Sequence, residues 1–365
     1  MESQHYMPHS LSAARLDKYL ASGWFRSGET LSRSKMISWD GDVASIINIR
    51  INLRYYESPK SFRKILRKNK QQFRVEIVSP NDNYYQEGEE NLYQLHKERF
   101  HGFVFPTLNE FFYNTSVYWS IFDTKQVKVY DEEKLIATSF FDCGKNSLAS
   151  IMGIFDPNYS KYSLGIYTML EEIEYMKRTN RQFYYPGYIL DIPSMLDYKL
   201  RFLNIEFYDW ESKWLSVSKM DRENTPARGV NKTHENIAKL LDKIGVKYTQ
   251  LMNPLFTVAS LMESTSGHQG MLRGAMLFIL KEGEGFKVIL EYLVDEKLYQ
   301  ISRVREEHAP FFFSFFSNNI WQLNRNNPKI RYITKLFLYD HVYGKHEKLT
   351  ALVQEMLRNG TIKAK

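Results

Sequence analysis

Apolar positions in this chain follow two periods, and the switch between them marks out the elements. From Ser163 to Thr179, Ile166, Met169, Leu170, Ile173 and Met176 fall three and four apart, which sets them on one face of a helix. Glu171, Glu172, Glu174, Lys177 and Arg178 are then expected on its exposed side. Ahead of this helix, "VKVYDEEKLIATSFFDCGKNSLASIMGIFDP" holds three strand-like runs split at "DEE" and "GKN", an antiparallel meander. Behind it come the strand "QFYYPGYIL", a short helix in "PSMLDYKLRF" and a strand in "IEFYDWE". Upstream, a helix is expected from Ser12 to a stop at Gly23, and a strand alternates from Ile47. A helix starts at Ser58-Pro59, and "FRVEIV" is a strand. A further helix ends near His101-Gly102, and another starts in "TLNEFFYN".

Meander, helix, strand, helix, strand predicts an α+β fold: an N-acetyltransferase-like (GNAT-like) mixed sheet with flanking helices and a ligand groove beside the central helix. The polar stretch at about 215–230 reads as a linker to a smaller α+β C-terminal domain. That domain is expected to hold an amphipathic helix with Thr233 at its N-cap, a three-strand meander turning at "EGEG" and "DEK", and a helix ended by Gly360. The expected division is 1–80, a subdomain with a basic helix; 81–215, the GNAT-like domain; and 231–365, the C-terminal domain.

Composition narrows the chemistry. One cysteine, Cys143, leaves no disulfide framework and no thiolate-held zinc or iron–sulfur cluster within one chain. No signal-peptide core and no apolar run of membrane-spanning length is visible, so a cytoplasmic location and no membrane partner are expected. A net charge of +7 permits a polyanionic partner. That charge concentrates between residues 60 and 70, where Lys60, Arg63, Lys64, Arg67, Lys68 and Lys70 occur with no acid between them. Such density suits phosphate contacts, and equally a solvated helix face.

The candidate chemistry is sparse in nucleophiles. There is no G-x-S-x-G, no P-loop and no zinc signature, and neither metal nor cofactor is expected. His96 and His101 are five apart and do not pair on a helix face. The helix opening Ser163-Leu164-Gly165 offers free backbone N–H groups to an anion or an acyl oxygen. It carries one glycine, too few to cradle a coenzyme A pyrophosphate. Tyr184, Tyr185 and Tyr188 put hydroxyls on both faces of one strand, and Gly187 after Pro186 predicts a bulge. Tyr198 and Lys199 follow one short helix later. Asp142 and Asp156 are candidate bases or amine anchors, Asp156-Pro157 also being a common turn.

Five blocks resemble the arginyl-tRNA–protein transferase family and its bacterial aspartate/glutamate leucyltransferase relatives: "GWFRSG" (23–28), "SPKSFRKILRKN" (58–69), "YQLHKERFHG" (93–102), "FDPNYSKYSLGIYTMLEEIE" (155–174) and "YYPGYILDIPSMLDYKLRF" (184–202). The resemblance covers about residues 10–210. It implies transfer of arginine or leucine from aminoacyl-tRNA to the N-terminal amine of a protein with an acidic first residue, which tags that protein for degradation. It further implies Asp142, Tyr188, Tyr198 and Lys199 as catalytic candidates. Arg26, Asp156, Ser163, Leu164, Gly165, Tyr184 and Gly187 become substrate contacts, and Lys60, Arg63, Lys64, Arg67 and Lys68 contacts to tRNA. The family's N-terminal cysteine cluster has no counterpart in "LSRSKMISWDGD". Two alternatives stay open: a non-catalytic tRNA or peptide binder, and a coenzyme A-dependent N-acyltransferase.

Overall fold

The computed structural model describes residues 3–39, 41–79, 87–99, 105–112, 120–267, 269–307 and 331–363. The expected helix end at His101-Gly102 lies outside them.

The N-terminal stretch is β1 (Ser3–Tyr6), α1 (Ala13–Ala21), β2 (Phe25–Ser27), β3 (Thr30–Ser34), β4 (Met36–Trp39), β5 (Asp42–Asn52), α2 (Lys60–Gln72) and β6 (Arg74–Val78). Ser12 caps α1 by accepting from the Arg15 N–H, and Gly23 follows it at φ +76°, as the sequence predicts. Next come α3 (Glu87–Lys97), α4 (Leu108–Phe112), the meander β7 (Thr124–Asp131), β8 (Lys134–Cys143) and β9 (Ser147–Phe155), a 3₁₀ turn (Pro157–Tyr162) and α5 (Leu164–Arg178). The half closes with β10 (Phe183–Tyr185), β11 (Tyr188–Leu190), a 3₁₀ helix (Met195–Arg201), β12 (Ile205–Tyr208) and β13 (Trp214–Ser216).

Strands β1, β3 and β2 make a small sheet in that order, and the others form one mixed sheet in the order β13-β12-β5-β10-β9-β8-β7-β6, with β4 and β11 also pairing with β5. Strand β5 therefore lies in mid-sheet, flanked by strands from more than 130 residues downstream. On one face α2 and α5 bury Phe62, Leu164, Tyr167, Leu170 and Ile173 against Ile47, Ile49 and Phe141. On the other, α1, α3 and α4 bury Leu16, Leu92 and Phe112 against Ala149 and Phe140. The expected α+β class, with a mixed sheet and flanking helices, holds.

Helix α5 corrects the expected exposure of its acids: Glu171 and Glu172 are both buried. Periodicity gave α5 one covered face, whereas α2 lies across its outer side and Lys70 reaches Glu171 at 3.5 Å.

The C-terminal unit comprises α6 (Pro226–Lys243), β14 (Thr249–Met252), α7 (Ala259–Ser266), β15 (Met276–Gly283), β16 (Phe286–Leu293), β17 (Leu298–Glu307), β18 (Arg331–Tyr332), β19 (Leu336–His346) and α8 (Leu349–Arg358). Its sheet runs β18-β14-β15-β16-β17-β19, with α6 and α8 packed on one face. Helix α6 begins well before Thr233, whose hydroxyl bonds back to the Gly229 carbonyl inside the helix. The cap is Thr225, followed by Pro226 at the first helical position. That start is docked on β5. The Ala227 N–H donates to Ser45 Oγ at 2.9 Å, and Asp191 joins the Ser45 N–H to the Thr225 hydroxyl. Met36 and Val43 belong to the C-terminal core. Among the described residues no helix is long and apolar enough to cross a membrane.

Candidate functional site

The single strand expected over "QFYYPGYIL" is broken in two, and the break makes the site. Strand β10 pairs in parallel with β9 only at Phe183–Ser147, Tyr184–Leu148 and Tyr185–Ala149. Gly187 then adopts φ +89°, a conformation that glycine takes without strain. Strand β11 continues beside β5, from Tyr188–Asn48 to Leu190–Ile46, while β9 runs on to Phe155 paired with β8 alone. The two strands thus part beyond Ala149, and Gly153 of β9 is exposed in the gap although it belongs to mid-sheet.

Lys199 closes one side of this wedge. Its Nζ donates to the Tyr188 carbonyl at 3.0 Å and lies 5.7 Å over the Tyr188 ring. A Cβ on residue 187 would come within 3.3 Å of it, so Gly187 also makes room for the ammonium. Among the described residues Lys199 pairs with no carboxylate, and burial brings its pKa down to about 8. Tyr198 keeps 39% of its surface accessible. Protein nevertheless crowds around it, and that burial, with Glu172 nearby, pushes its phenol up to about 12. Partial exposure inside dense surroundings describes a side chain in a crevice.

Beneath the point where the strands part lies Glu172, 0% exposed. Tyr184 Oη donates to its Oε2 at 2.6 Å, and Ser150 Oγ to its Oε1 at 3.3 Å. Burial pushes the Glu172 carboxyl up to about 7. Sequence reasoning missed this residue. A charged side chain next to another on a helix reads as solvated, and only Tyr184, second residue of the following strand β10, hinted at a buried partner.

The other expected site residues stand elsewhere. Asp142 is 1% exposed and bonded at 2.9 Å to Arg26, with Thr124 donating to the same oxygen at 2.7 Å. Arg26 also donates to the Gly28 carbonyl and stacks on Phe122 at 4.2 Å. The pair ties β2 to the sheet face away from α5, and neither residue joins the wedge. Asp156 caps the 3₁₀ turn by accepting from Asn158 N–H and takes Lys134 Nζ at 2.8 Å on its second oxygen. Burial works against its charge, yet those two bonds keep it below the usual carboxylate range. Ser163 is left-handed at φ +55° and its side chain caps nothing. Leu164 is a core residue, and Gly165 packs under the Phe155 ring. Tyr188 touches Phe25, and burial raises its phenol.

The basic helix α2 lies beside this site. Phe62 seats it against Phe202 at 4.7 Å, and Asn69 donates to the Tyr162 carbonyl at 2.9 Å. Lys60, Arg63, Lys64, Arg67 and Lys68 all face outward. None of the five pairs with a described acid, and Lys68 lies 5.0 Å over the Tyr162 ring. Arg201, above the Phe62 ring, extends the row toward Lys199. A separate cleft of about 730 Å³ lies on the far flank of α5, between Phe73, Val75, Tyr175 and Arg178. Among the described residues no three His, Cys, Asp or Glu side chains converge as metal ligands.

Residues 84–209 match the family model described as "Arginine-tRNA-protein transferase, C terminus". The chain is 26% identical over 202 residues to an aspartate/glutamate leucyltransferase of Pseudoalteromonas atlantica, covering 55% of this chain and 84% of that protein. It is 28% identical over 200 residues to the protein of the same name from Saccharophagus degradans, covering 53% and 79%. Among solved structures, FemX is similar at a TM-score of 0.32 and 12% identity, over 49% of this chain and 61% of that one.

Proposed function

From a chain whose residues 84–209 belong to the arginine-tRNA-protein transferase family, we propose an enzyme that moves an amino acid from aminoacyl-tRNA to the N-terminal amine of a protein. The observation that carries this is the wedge at Gly187: a groove between two parted strands, with an ammonium at its edge that pairs with no carboxylate among the described residues. An aminoacyl ester is already activated. Its aminolysis needs alignment of amine and ester, and a donor for the oxygen that gains charge as the carbonyl is attacked. Lys199 supplies that donor, since Tyr188 O occupies one of its three N–H bonds and two remain. Tyr198 walls the crevice beside it and offers a hydroxyl to the terminal ribose.

The tRNA runs along α2. Lys60, Arg63, Lys64, Arg67 and Lys68 hold its backbone, and Arg201 leads the acceptor end to Lys199. Such contacts bind any tRNA body, so the choice of amino acid falls to the wedge. The relatives' names speak for leucine as the donor residue and for aspartate or glutamate as the acceptor's first residue. The family name speaks for arginine.

A screen of radiolabelled aminoacyl-tRNAs against peptides beginning with Asp, Glu or Ala tests this. Label is expected to pass to the acidic peptides from arginyl- or leucyl-tRNA. No transfer from any aminoacyl-tRNA would overturn the reading, and acetyl-coenzyme A in a parallel arm would reveal the other acyl chemistry.

A further inference from the structure

The aminolysis just proposed leaves one proton unaccounted for. A protein N-terminus reaches the site largely as an ammonium, which cannot attack until it loses a proton. Lys199 is engaged in its charged form as donor to the developing oxyanion, and Asp142 and Asp156 are held by Arg26 and Lys134. We propose that Glu172 draws this proton from the acceptor's ammonium, working through the Ser150 hydroxyl where the two strands part.

Placement carries the argument. Ser150 is the first residue of β9 beyond its parallel pairing with β10, so it stands at the vertex of the wedge. It is half-buried, and its hydroxyl already points at Glu172 Oε1. The groups facing Glu172 are Ser139 from β8, Ser150 from β9, Tyr184 from β10 and Tyr198 from the 3₁₀ helix. All are hydroxyls. No cation among the described residues pairs with it, so nothing in the resting protein balances its charge. A buried carboxylate without a counter-ion is costly, and the ammonium of a substrate is the group that would relieve it. Its elevated pKa suits a group that must take up a proton near neutrality and release it again.

The step balances. The ammonium passes one proton to Ser150 Oγ as Ser150 passes its own to Glu172 Oε1. The freed nitrogen lone pair bonds to the ester carbonyl carbon, and the carbon–oxygen bond to the ribose breaks. The second nitrogen proton leaves with the ribose oxygen, and Glu172 returns its proton to solvent before the next turnover. Glu172 is thus a positioning residue for a proton that Ser150 handles directly.

This rests on the aminoacyl-transfer reading, and the test separates the two. The wild-type kcat/KM for peptide is expected to rise with pH through an inflection near 7. Glu172→Gln, nearly isosteric and still able to bond Tyr184, should lower it by about 100-fold and erase that inflection. Ser150→Ala should lose rate in the same pH range, with tRNA binding unchanged in both. Full rate and an intact inflection in Glu172→Gln overturn the inference alone. Should the wild type transfer nothing, the parent reading fails. Calorimetry of an Asp-Ala peptide in buffers of differing ionisation enthalpy then decides the inference. Proton transfer on binding that disappears in Glu172→Gln supports it, and equal proton counts in both overturn it.

Discussion

Glu172 should reveal itself in stability as clearly as in catalysis, and with the opposite sign. Its carboxyl titrates near 7 in the folded chain against an ordinary value of 4.5. The folded state therefore holds a proton that the unfolded state has already released. The stabilisation this gives is complete below about pH 4.5, shrinks as the pH rises, and is gone above about pH 7. At 1.36 kcal/mol per pH unit, ionised Glu172 costs the fold about 3 kcal/mol in mildly alkaline solution. Glutamine never ionises. Its amide oxygen keeps the Tyr184 hydrogen bond much as the neutral carboxyl does, and the extra strength of that bond to the ionised form is already contained in the shift to about 7. Glu172→Gln should therefore gain about 3 kcal/mol at pH 8, a rise of roughly 4 °C in melting temperature, and nothing at pH 4.5. Melting curves of both proteins at half-unit pH steps between 4.5 and 9 measure the gap. A gap that stays flat with pH, or a variant that melts lower at pH 8, would refute the reasoning.

Glu291, buried in the C-terminal sheet, accepts from the Gly274 N–H, Gln300 and Tyr339, and burial pushes it up to about 7 as well. Its loss of stability between pH 4.5 and 7 has the same sign, so Glu291→Gln should narrow the alkaline decline of the wild type while transfer goes on at the wild-type rate. Asp142→Asn strands the Arg26 charge in a dry site. A drop of about 3–5 kcal/mol in denaturant unfolding is expected, with little change in turnover per folded molecule. Replacing Lys64, Arg67 and Lys68 together by Gln should weaken tRNA binding and flatten the slope of log K against log salt by about 2–3, read by filter binding across a salt series. An unchanged slope would move the tRNA elsewhere. Gly187→Ala combines a left-handed backbone with a methyl 3.3 Å from Lys199 Nζ; a loss of at least ~1 kcal/mol in stability and a raised KM for aminoacyl-tRNA are expected.

Local pattern made most elements legible. Helix α1 lies between Ser12 and Gly23 as expected, and the meander turns at "DEE" and "GKN". Local pattern does not register long-range pairing. Nothing in "VASIINIRINL" shows that β5 will be flanked by β10 and β12, because partner choice depends on strands more than 130 residues away. The site was half legible for the same reason. Gly187, Tyr198 and Lys199 could be picked out because a bulge glycine and a Tyr-Lys pair are local signals. Asp142 and Asp156 stand out by residue type and Arg26 by the family resemblance, whereas their pairing, Asp142 with Arg26 and Asp156 with Lys134, is set by the fold and not by local pattern. Glu172 was passed over because its burial depends on α2 and on Tyr184, neither of which a helical wheel contains.

Strand β5 belongs to two cores at once. Its middle is ruled into the transferase sheet, while Val43 near its start sits in the core built by α6 and β15. The Asn231 side chain holds the Val43 carbonyl at 2.8 Å, and Asp191 ties the same strand to the cap of α6. Cutting the chain in the polar stretch near residue 222 would thus not release two finished pieces. The N-terminal fragment would carry Met36 and Val43 as an apolar scar, and the C-terminal fragment would lack the wall those residues form. The two units are better understood as one folding partnership, in which damage to either half is felt along a shared strand whose middle lies against Gly187.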